Sequence, residues 1–402
     1  EIMNGSKIPK MGLLTMCLST GLTLVVCEVL LRFFTPPPIP AGFVGNCENA
    51  RRYGWGYPPH FPLPAYDPDL NEIVAYDRTN SQGWKDVEHS FEKSEGTTRI
   101  LVVGDSYTQG LPPLEHVYHR VLKRLLREEG FRVEVIAMGH GGWATDQGFQ
   151  AFLQEGTRYS PDIVISQFCI NDLEGLAGYD PFEDTKLKPF RYRLEGNQLI
   201  FEERPRPDTR GTIMERLVRF MALHSRIYFT LLKAQKNQFV RPHDPSKDLW
   251  FLRVQPRSGG FWKKGEDDPN LVSMWNLYGS ILSEWNQKCV DSNIQFYVYS
   301  EAFDASERDF LLNWDLIKQK EGILFARDQE DNWEEIDFDK PIRRWAELCE
   351  GLGVVRIPRK RDYSRYKNDP HTNIEGNLLM AEDIRDFLLE DPNARKRLES
   401  NR

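Results

Sequence analysis

The chain reads as an α/β protein with a mostly parallel, five-stranded sheet covered by helices on both faces, and two observations predict this. Short apolar runs alternate with helical patterns between Arg99 and Leu389, which is how βα units announce themselves. The runs are also apolar throughout rather than alternating, as strands buried on both faces are.

Each element follows in order. RILVVG (Arg99 to Gly104) is a buried strand, and LEHVYHRVLKRLLREEG places Val117, Val121, Leu122, Leu125 and Leu126 on one helical face before Gly130 stops it. RVEVIA (Arg132 to Ala137) is the second strand, a helix opens near Thr145, and DIVISQF (Asp162 to Phe168) is the third strand. Helix then strand recurs twice: LVSMWNLYGSILSEWNQKCV before IQFYVYS, and PIRRWAELCEGLG before VVRIP. IEGNLLMAEDIRDFLLE is the last helix, and 391–402 is expected to be a tail. An insertion at about 173–270 carries its own hairpin, FRYRLEGNQLIF turning at Gly196-Asn197, and an amphipathic helix around Ile213 to Lys233. A second, acidic insertion spans about 302–340. Long inserts at strand ends are lid candidates.

Ahead of this core, MGLLTMCLSTGLTLVVCEVLLRFF (residues 11–34) carries no charge until Glu28 and is long enough to span a bilayer. Lys7 and Lys10 precede it, so residues 1–10 are expected in the cytoplasm and the remaining chain outside. Glu28 and Arg32, four apart, can pair on one helical face. A cleaved signal peptide and a buried core helix are the competing readings, and no small-x-small cleavage pattern follows the run. TPPPIPAG is a stiff spacer, and the remainder of 35–98 is expected to dress the main domain with loops and short strands.

A net charge of −8 over 402 residues argues against nucleic acid as a partner. The six cysteines show no Cys-x-x-Cys spacing for zinc and no disulfide framework; Cys47 alone lies outside an apolar pattern. His116 and His119 in EHVYHR lack a third ligand nearby and are read as surface residues rather than a metal pair. RIPRKRDYSRYK gathers six bases, read as a solvated loop in preference to a site for an anionic polymer or lipid headgroups.

Chemistry concentrates at the carboxyl ends of the strands, where open α/β sheets keep their ligands. GDSYTQG follows the first strand, MGHGGWATDQ the second and CIND the third; NDPHTN comes after the fifth strand and before the last helix. A serine nucleophile needs a base, an acid to orient that base, and donors for the oxyanion. Ser106, His371 and Asp369 supply the first three. The Ser106 and Gly142 backbone N–H groups and the Asn171 amide supply the donors, with Asp105 and Asp172 as supporting neighbours. Taken singly, Ser106 could be only a helix N-cap, Asn171-Asp172 a turn and His371 a capping residue. Their conjunction at one edge favours a site.

These four blocks resemble those of the SGNH, or GDSL, hydrolase superfamily: Gly104-Asp105-Ser106, Gly142, Asn171-Asp172, and Asp369 with His371, over about 99–390. The resemblance implies a flavodoxin-like three-layer α/β/α fold and hydrolysis or transfer of acyl esters without metal or cofactor. The anchor, NSQGW (Asn80 to Trp84) and the GDSYTQG block together look like a bacterial membrane-anchored subgroup. Departures are Ala137 where the family has Asn, Cys169 where it has Gly, and an Asp two residues before the His rather than three, with Asn368 in that third position. The expectation is an extracytoplasmic serine esterase for small acyl groups, such as acetyl on an envelope glycan. Two alternatives stand beside it: an O-acyltransferase using the same residues, and a silent binding or scaffold protein of the envelope. Geometry separates the last from the others, since an active site needs His371 Nε2 within about 3.2 Å of Ser106 Oγ.

Overall fold

The computed structural model describes residues 10–34, 47–176, 188–205, 261–267, 269–301, 317–320, 323–327 and 333–400, with scattered residues between 213 and 231. It divides into two compact units, one of Glu1–Phe43 with Asp208–His243 and one of Val44–Pro207 with Asp244–Arg402.

In the first unit, α1 (Lys10–Phe34) covers the expected anchor. Among the described residues no helix is long and apolar enough to cross a membrane. The described residues of the expected amphipathic helix are helical on either side of Ser225, which is not. The single predicted helix is therefore interrupted there: the Ser225 hydroxyl accepts from Tyr228 N–H at 3.2 Å, a capping bond that starts a new turn. Within this unit the Glu28 carboxylate accepts from Arg226 N–H at 2.8 Å and pairs with Arg32 at 3.1 Å. The spacer at 35–42 lies outside the described residues.

The second unit opens with α2 (Glu48–Tyr53) and a hairpin, β1 (Pro62–Asp67) against β2 (Glu72–Arg78). Cys47, expected to be loose, is buried; its Sγ caps α2 by accepting from Ala50 N–H and donates to the Gly56 carbonyl. Then come β3 (Thr98–Gly104), α3 (Ser106–Gln109), α4 (Tyr118–Glu128), β4 (Val133–Gly139), α5 (Thr145–Gln154), β5 (Ile163–Phe168) and α6 (Asn171–Leu176). The hairpin β6 (Phe190–Glu195) and β7 (Gln198–Glu203) turns where the sequence placed it. After it run α7 (Pro269–Asp291), β8 (Gln295–Ser300), β9 (Ile317–Lys320), β10 (Ile323–Arg327), β11 (Trp333–Ile336), α8 (Lys340–Gly351), β12 (Val355–Ile357), α9 (Ile374–Glu390) and α10 (Pro392–Glu399).

The five-stranded sheet has the order β12-β8-β5-β3-β4 and all its pairs are parallel. Its apolar strands bury both faces. Leu101 and Val103 pack into one layer with Phe149 and Trp285, and Ile100 and Val102 into the other with Val121, Leu122 and Ile384. This is the expected three-layer arrangement. Of the predicted face of α4, Val121, Leu122 and Leu126 are fully enclosed, as is Val117 just before the helix.

Other expectations change. The acidic insertion holds a three-stranded antiparallel sheet, order β11-β10-β9, where charge and short strands hid the pattern. The expected tail contains α10, tied down by buried Ala394 and Leu398. His119 is buried rather than on the surface; burial pushes its imidazole down to about 4 and keeps it neutral. Two of the bases of RIPRKRDYSRYK pair with α9, Lys360 with Glu390 at 2.7 Å and Arg361 with Asp386 at 2.8 Å.

Candidate active site

β3 runs buried to Val103 and then breaks at Gly104, because nothing larger fits. A Cβ there would meet Gln167 Oε1 at 2.2 Å and Thr108 Oγ1 at 2.4 Å. The same Gln167 Oε1, on the neighbouring β5, accepts from Asp105 N–H at 3.1 Å and from the Thr108 hydroxyl at 3.1 Å. The turn that follows is capped by Asp105, whose carboxylate accepts from Tyr107 N–H at 3.0 Å. Ser106 is therefore not the cap, and its hydroxyl is left for another partner.

That partner is His371. Its Nε2 lies 2.8 Å from Ser106 Oγ, and its Nδ1 lies 2.6 Å from Asp369 Oδ1. The separation meets the distance that an active serine requires. The two-residue spacing in DPH, a departure from the more common three, works because Asp369 Oδ1 grips the same residue twice: it also accepts from His371 N–H at 2.9 Å. Across the ring, Tyr107 stacks at 4.7 Å between centroids, tilted by 36°.

Electrostatics sharpen this arrangement. Burial pushes the His371 imidazole down, but the Asp369 charge and hydrogen bond, with the Asp105 and Glu301 carboxylates, more than offset it and hold the ring above its ordinary value. Asp369 is likewise pushed up by burial, yet His371 and Arg365 leave its carboxyl below the usual range. An ionised acid, a basic imidazole and a hydroxyl thus stand in line.

The other two loops neighbour the Ser106 turn because β4 and β5 flank β3. Gly142 takes φ +73°, a left-handed conformation that a glycine adopts without strain. The loop before it is fixed by Gly141, whose N–H donates to Gln109 Oε1 at 2.9 Å and whose carbonyl accepts from Trp55 Nε1 at 2.9 Å. Asn171 opens α6, and its Oδ1 has no partner among the described residues. Asp172 Oδ2 accepts from Cys169 N–H at 2.8 Å, which shapes the loop that presents Asn171. Burial pushes the Asp105 and Asp172 carboxyls up, Asp172 well up because the Asp105 charge adds to it. His140, buried under the Tyr57 ring at 4.4 Å, is pushed down to about 4 by desolvation.

The structure thus brings Ser106, His371 and Asp369 into direct contact, with Asp105 beside Ser106 and Asn171 and Asp172 acting on Asp105, while Gly142 lies in the loop after the neighbouring β4. Sequence reasoning missed Gln167, Gln109, Tyr107 and Trp55. Only Gln167 left a signal: it is a polar residue inside an otherwise apolar strand end.

A serine, histidine and carboxylate thus stand in line at the carboxyl edge of a parallel α/β sheet, the arrangement that serine-nucleophile chemistry requires. Residues 102–246 match the family model described as the GDSL-like Lipase/Acylhydrolase family. Over that segment the chain is similar to the GDSL-like lipase/acylhydrolase family, and it is an ester-hydrolysing enzyme. The matched segment holds Ser106, Gly142 and Asn171. Among solved structures, the chain is similar to a G-D-S-L family lipolytic protein of Desulfitobacterium hafniense at 10% identity, covering 72% of this chain and 98% of that one, TM-score 0.32. A lipase/acylhydrolase from Enterococcus faecalis is similar at 11% identity, 72% and 95% coverage, TM-score 0.34. A catalytic mutant of an acetylxylan esterase from Geobacillus stearothermophilus follows at 10%, 71% and 92%, TM-score 0.33. No curated protein matches.

Proposed function

We propose that the chain is a serine esterase that hydrolyses carboxylic esters of small acyl groups through an acyl-enzyme on Ser106, outside the cytoplasm. The observation that carries the reading is the hydrogen-bonded line Ser106–His371–Asp369, at 2.8 and 2.6 Å.

The steps follow from it. His371 Nε2 takes the Ser106 proton as Oγ forms a bond to the ester carbonyl carbon, and the carbonyl oxygen becomes an oxyanion. The N–H groups of Ser106 and Gly142 and the Asn171 amide receive that charge; one such donor is worth about 10²- to 10³-fold in rate. Asp369 keeps the Nδ1 proton in place and stabilises the imidazolium. Collapse breaks the C–O bond to the leaving alcohol, which takes the proton from His371. Water then repeats the sequence on the acyl-enzyme, His371 again acting first as base and then as acid. Transfer to a sugar hydroxyl would differ only in the acceptor at this second stage.

Extracytoplasmic placement rests on the apolar run of 11–34 behind Lys7 and Lys10. An acylated envelope glycan is the substrate that this compartment would offer. Hydrolysis of acetyl, butyryl and octanoyl esters of one chromogenic alcohol by the full chain tests the reading, beside Ser106→Ala. The expected result is turnover that falls with acyl length and disappears in the variant. Equal, slow turnover by both proteins would overturn it.

A further inference from the structure

Arg365 is the one base of RIPRKRDYSRYK that turns inward. Its side chain and that of Glu301 are 3% and 1% exposed and lie 3.2 Å apart. Glu301 directly follows β8 at the carboxyl edge of the sheet, one strand over from β5. From this pair the guanidinium fans out. Nη2 donates to the Glu301 carbonyl at 2.8 Å, while Nη1 faces the Tyr107 hydroxyl at 3.0 Å and the Pro370 carbonyl. The Tyr107 hydroxyl in turn donates to the Pro370 carbonyl at 3.1 Å. Pro370 is the residue between Asp369 and His371, and Tyr107 follows Ser106 and carries the ring stacked on His371.

We propose that Arg365 is a positioning residue: anchored on Glu301, it ties the nucleophile turn through Tyr107 to the histidine loop through Pro370, and so fixes the distance between Ser106 and His371. The inference rests on the esterase reading above. A planar fork with several fixed donors suits this role, since it reaches three loops at once, which a lysine ammonium on a flexible stem does not. Burial makes the pair costly to hold. An edge that needed only to fold would join these loops with apolar contacts. Instead a charged pair is buried where two halves of a reacting line must stay in register, and a displacement of about 1 Å in such a line costs about 10²-fold.

The pair also belongs to the field around His371. The charged and titratable groups facing that ring are Asp369 from its own loop, Asp105 and Tyr107 from the nucleophile turn, and Glu301 from the end of β8. The Arg365 charge also acts on Asp369, lowering its carboxyl.

Arg365→Lys and Tyr107→Phe in the full chain test the proposal. Each is assayed on a short acyl ester, with kcat expressed per serine that a fluorophosphonate probe titrates at completion. The expected result is a fall in kcat of about 30- to 100-fold for Arg365→Lys and about 3- to 10-fold for Tyr107→Phe, with KM within about twofold. Glu301→Gln removes a negative charge from the His371 field, so the acid limb of kcat/KM should move to lower pH, a shift that a purely structural role does not produce. Per-site kcat within twofold of the parent in both Arg365→Lys and Tyr107→Phe would overturn the proposal. If Arg365→Lys does not fold, Tyr107→Phe decides alone, because it removes one hydroxyl and keeps the ring. Should the parent fail to label or turn over, it is the esterase reading that falls; a parent that labels beside indifferent variants isolates the failure to Arg365.

Discussion

The two ends of the parallel sheet solve opposite problems with the same kinds of residue. At the amino end Arg99, fully buried, has its guanidinium satisfied. Nε pairs with Glu134 at 2.6 Å, Nη1 donates to the Phe91 and Tyr159 carbonyls, and Nη2 to those of Ser90 and Glu92. It staples the segment before β3 to the sheet. At the carboxyl end, carboxylates crowd together without full compensation: Asp105 and Asp172 are pushed up by burial, and Asn171 keeps an oxygen without a partner. One end is built for stability. The other crowds buried polar groups around the Ser106–His371 contact, where the proposed chemistry would take place.

The comparison can be broken hardest at Asp369. Asp369→Asn should lower kcat by about 10³- to 10⁴-fold with little change in thermal midpoint, since it releases the His371 tautomer while keeping its volume. The residual activity should also show a shifted pH profile. His371 must be neutral to accept the Ser106 proton, so activity rises with pH through its raised value. Removing the Asp369 charge lowers that value and moves the acid limb of kcat/KM down, and a limb that stays in place would count against Asp369 as the orienting acid. The mirror experiment is Arg99→Ala. It leaves buried carbonyls without donors and should cost about 3–5 kcal/mol by chemical denaturation, with kcat of the folded fraction unchanged.

Next in size is Asn171→Ala, expected to reduce kcat by about 10²-fold or more and leave KM nearly alone, because it removes a proposed oxyanion donor that in the resting site also bonds the Asp105 carboxyl. Smallest is Asp172→Asn. It relieves a buried, crowded carboxylate, so it should raise stability at neutral pH by about 1 kcal/mol while activity falls. The sign follows from a folded-state value above the unfolded one. The Asp172 carboxyl favours the fold at low pH, and that advantage is lost as pH rises through its raised value. Denaturation curves of parent and variant that converge at low pH and separate at neutral pH would bear this out.

The fold was legible where one residue type dominated a run. RILVVG, DIVISQF and IQFYVYS are buried strands because apolar residues dominate both of their faces, and their order placed four polar loops at one edge. Ser106, His371, Gly142 and Asn171 could be named for that reason. What stayed hidden depends on partners far along the chain. Arg365 reads as one more base in a basic stretch until Glu301, 64 residues away, is brought against it. Cys47 has no pattern to mark it as a cap. The meander of β9 to β11 is short, charged and half-exposed, so neither period nor burial announces it. Asp369 was visible but its spacing counselled doubt, because a one-dimensional reading does not show a single carboxylate oxygen holding both the backbone and the ring of the same histidine.

Most directly, the account stands on Ser106 being an activated nucleophile. Treating the full chain with a fluorophosphonate, digesting it and mapping the adduct by mass spectrometry tests this, beside Ser106→Ala and His371→Ala. The prediction is one adduct, on the peptide that carries Gly104-Asp105-Ser106, absent in the first variant and at least about 10³-fold slower to form in the second. Folded protein with no adduct there, or with labelling indifferent to His371, would contradict it.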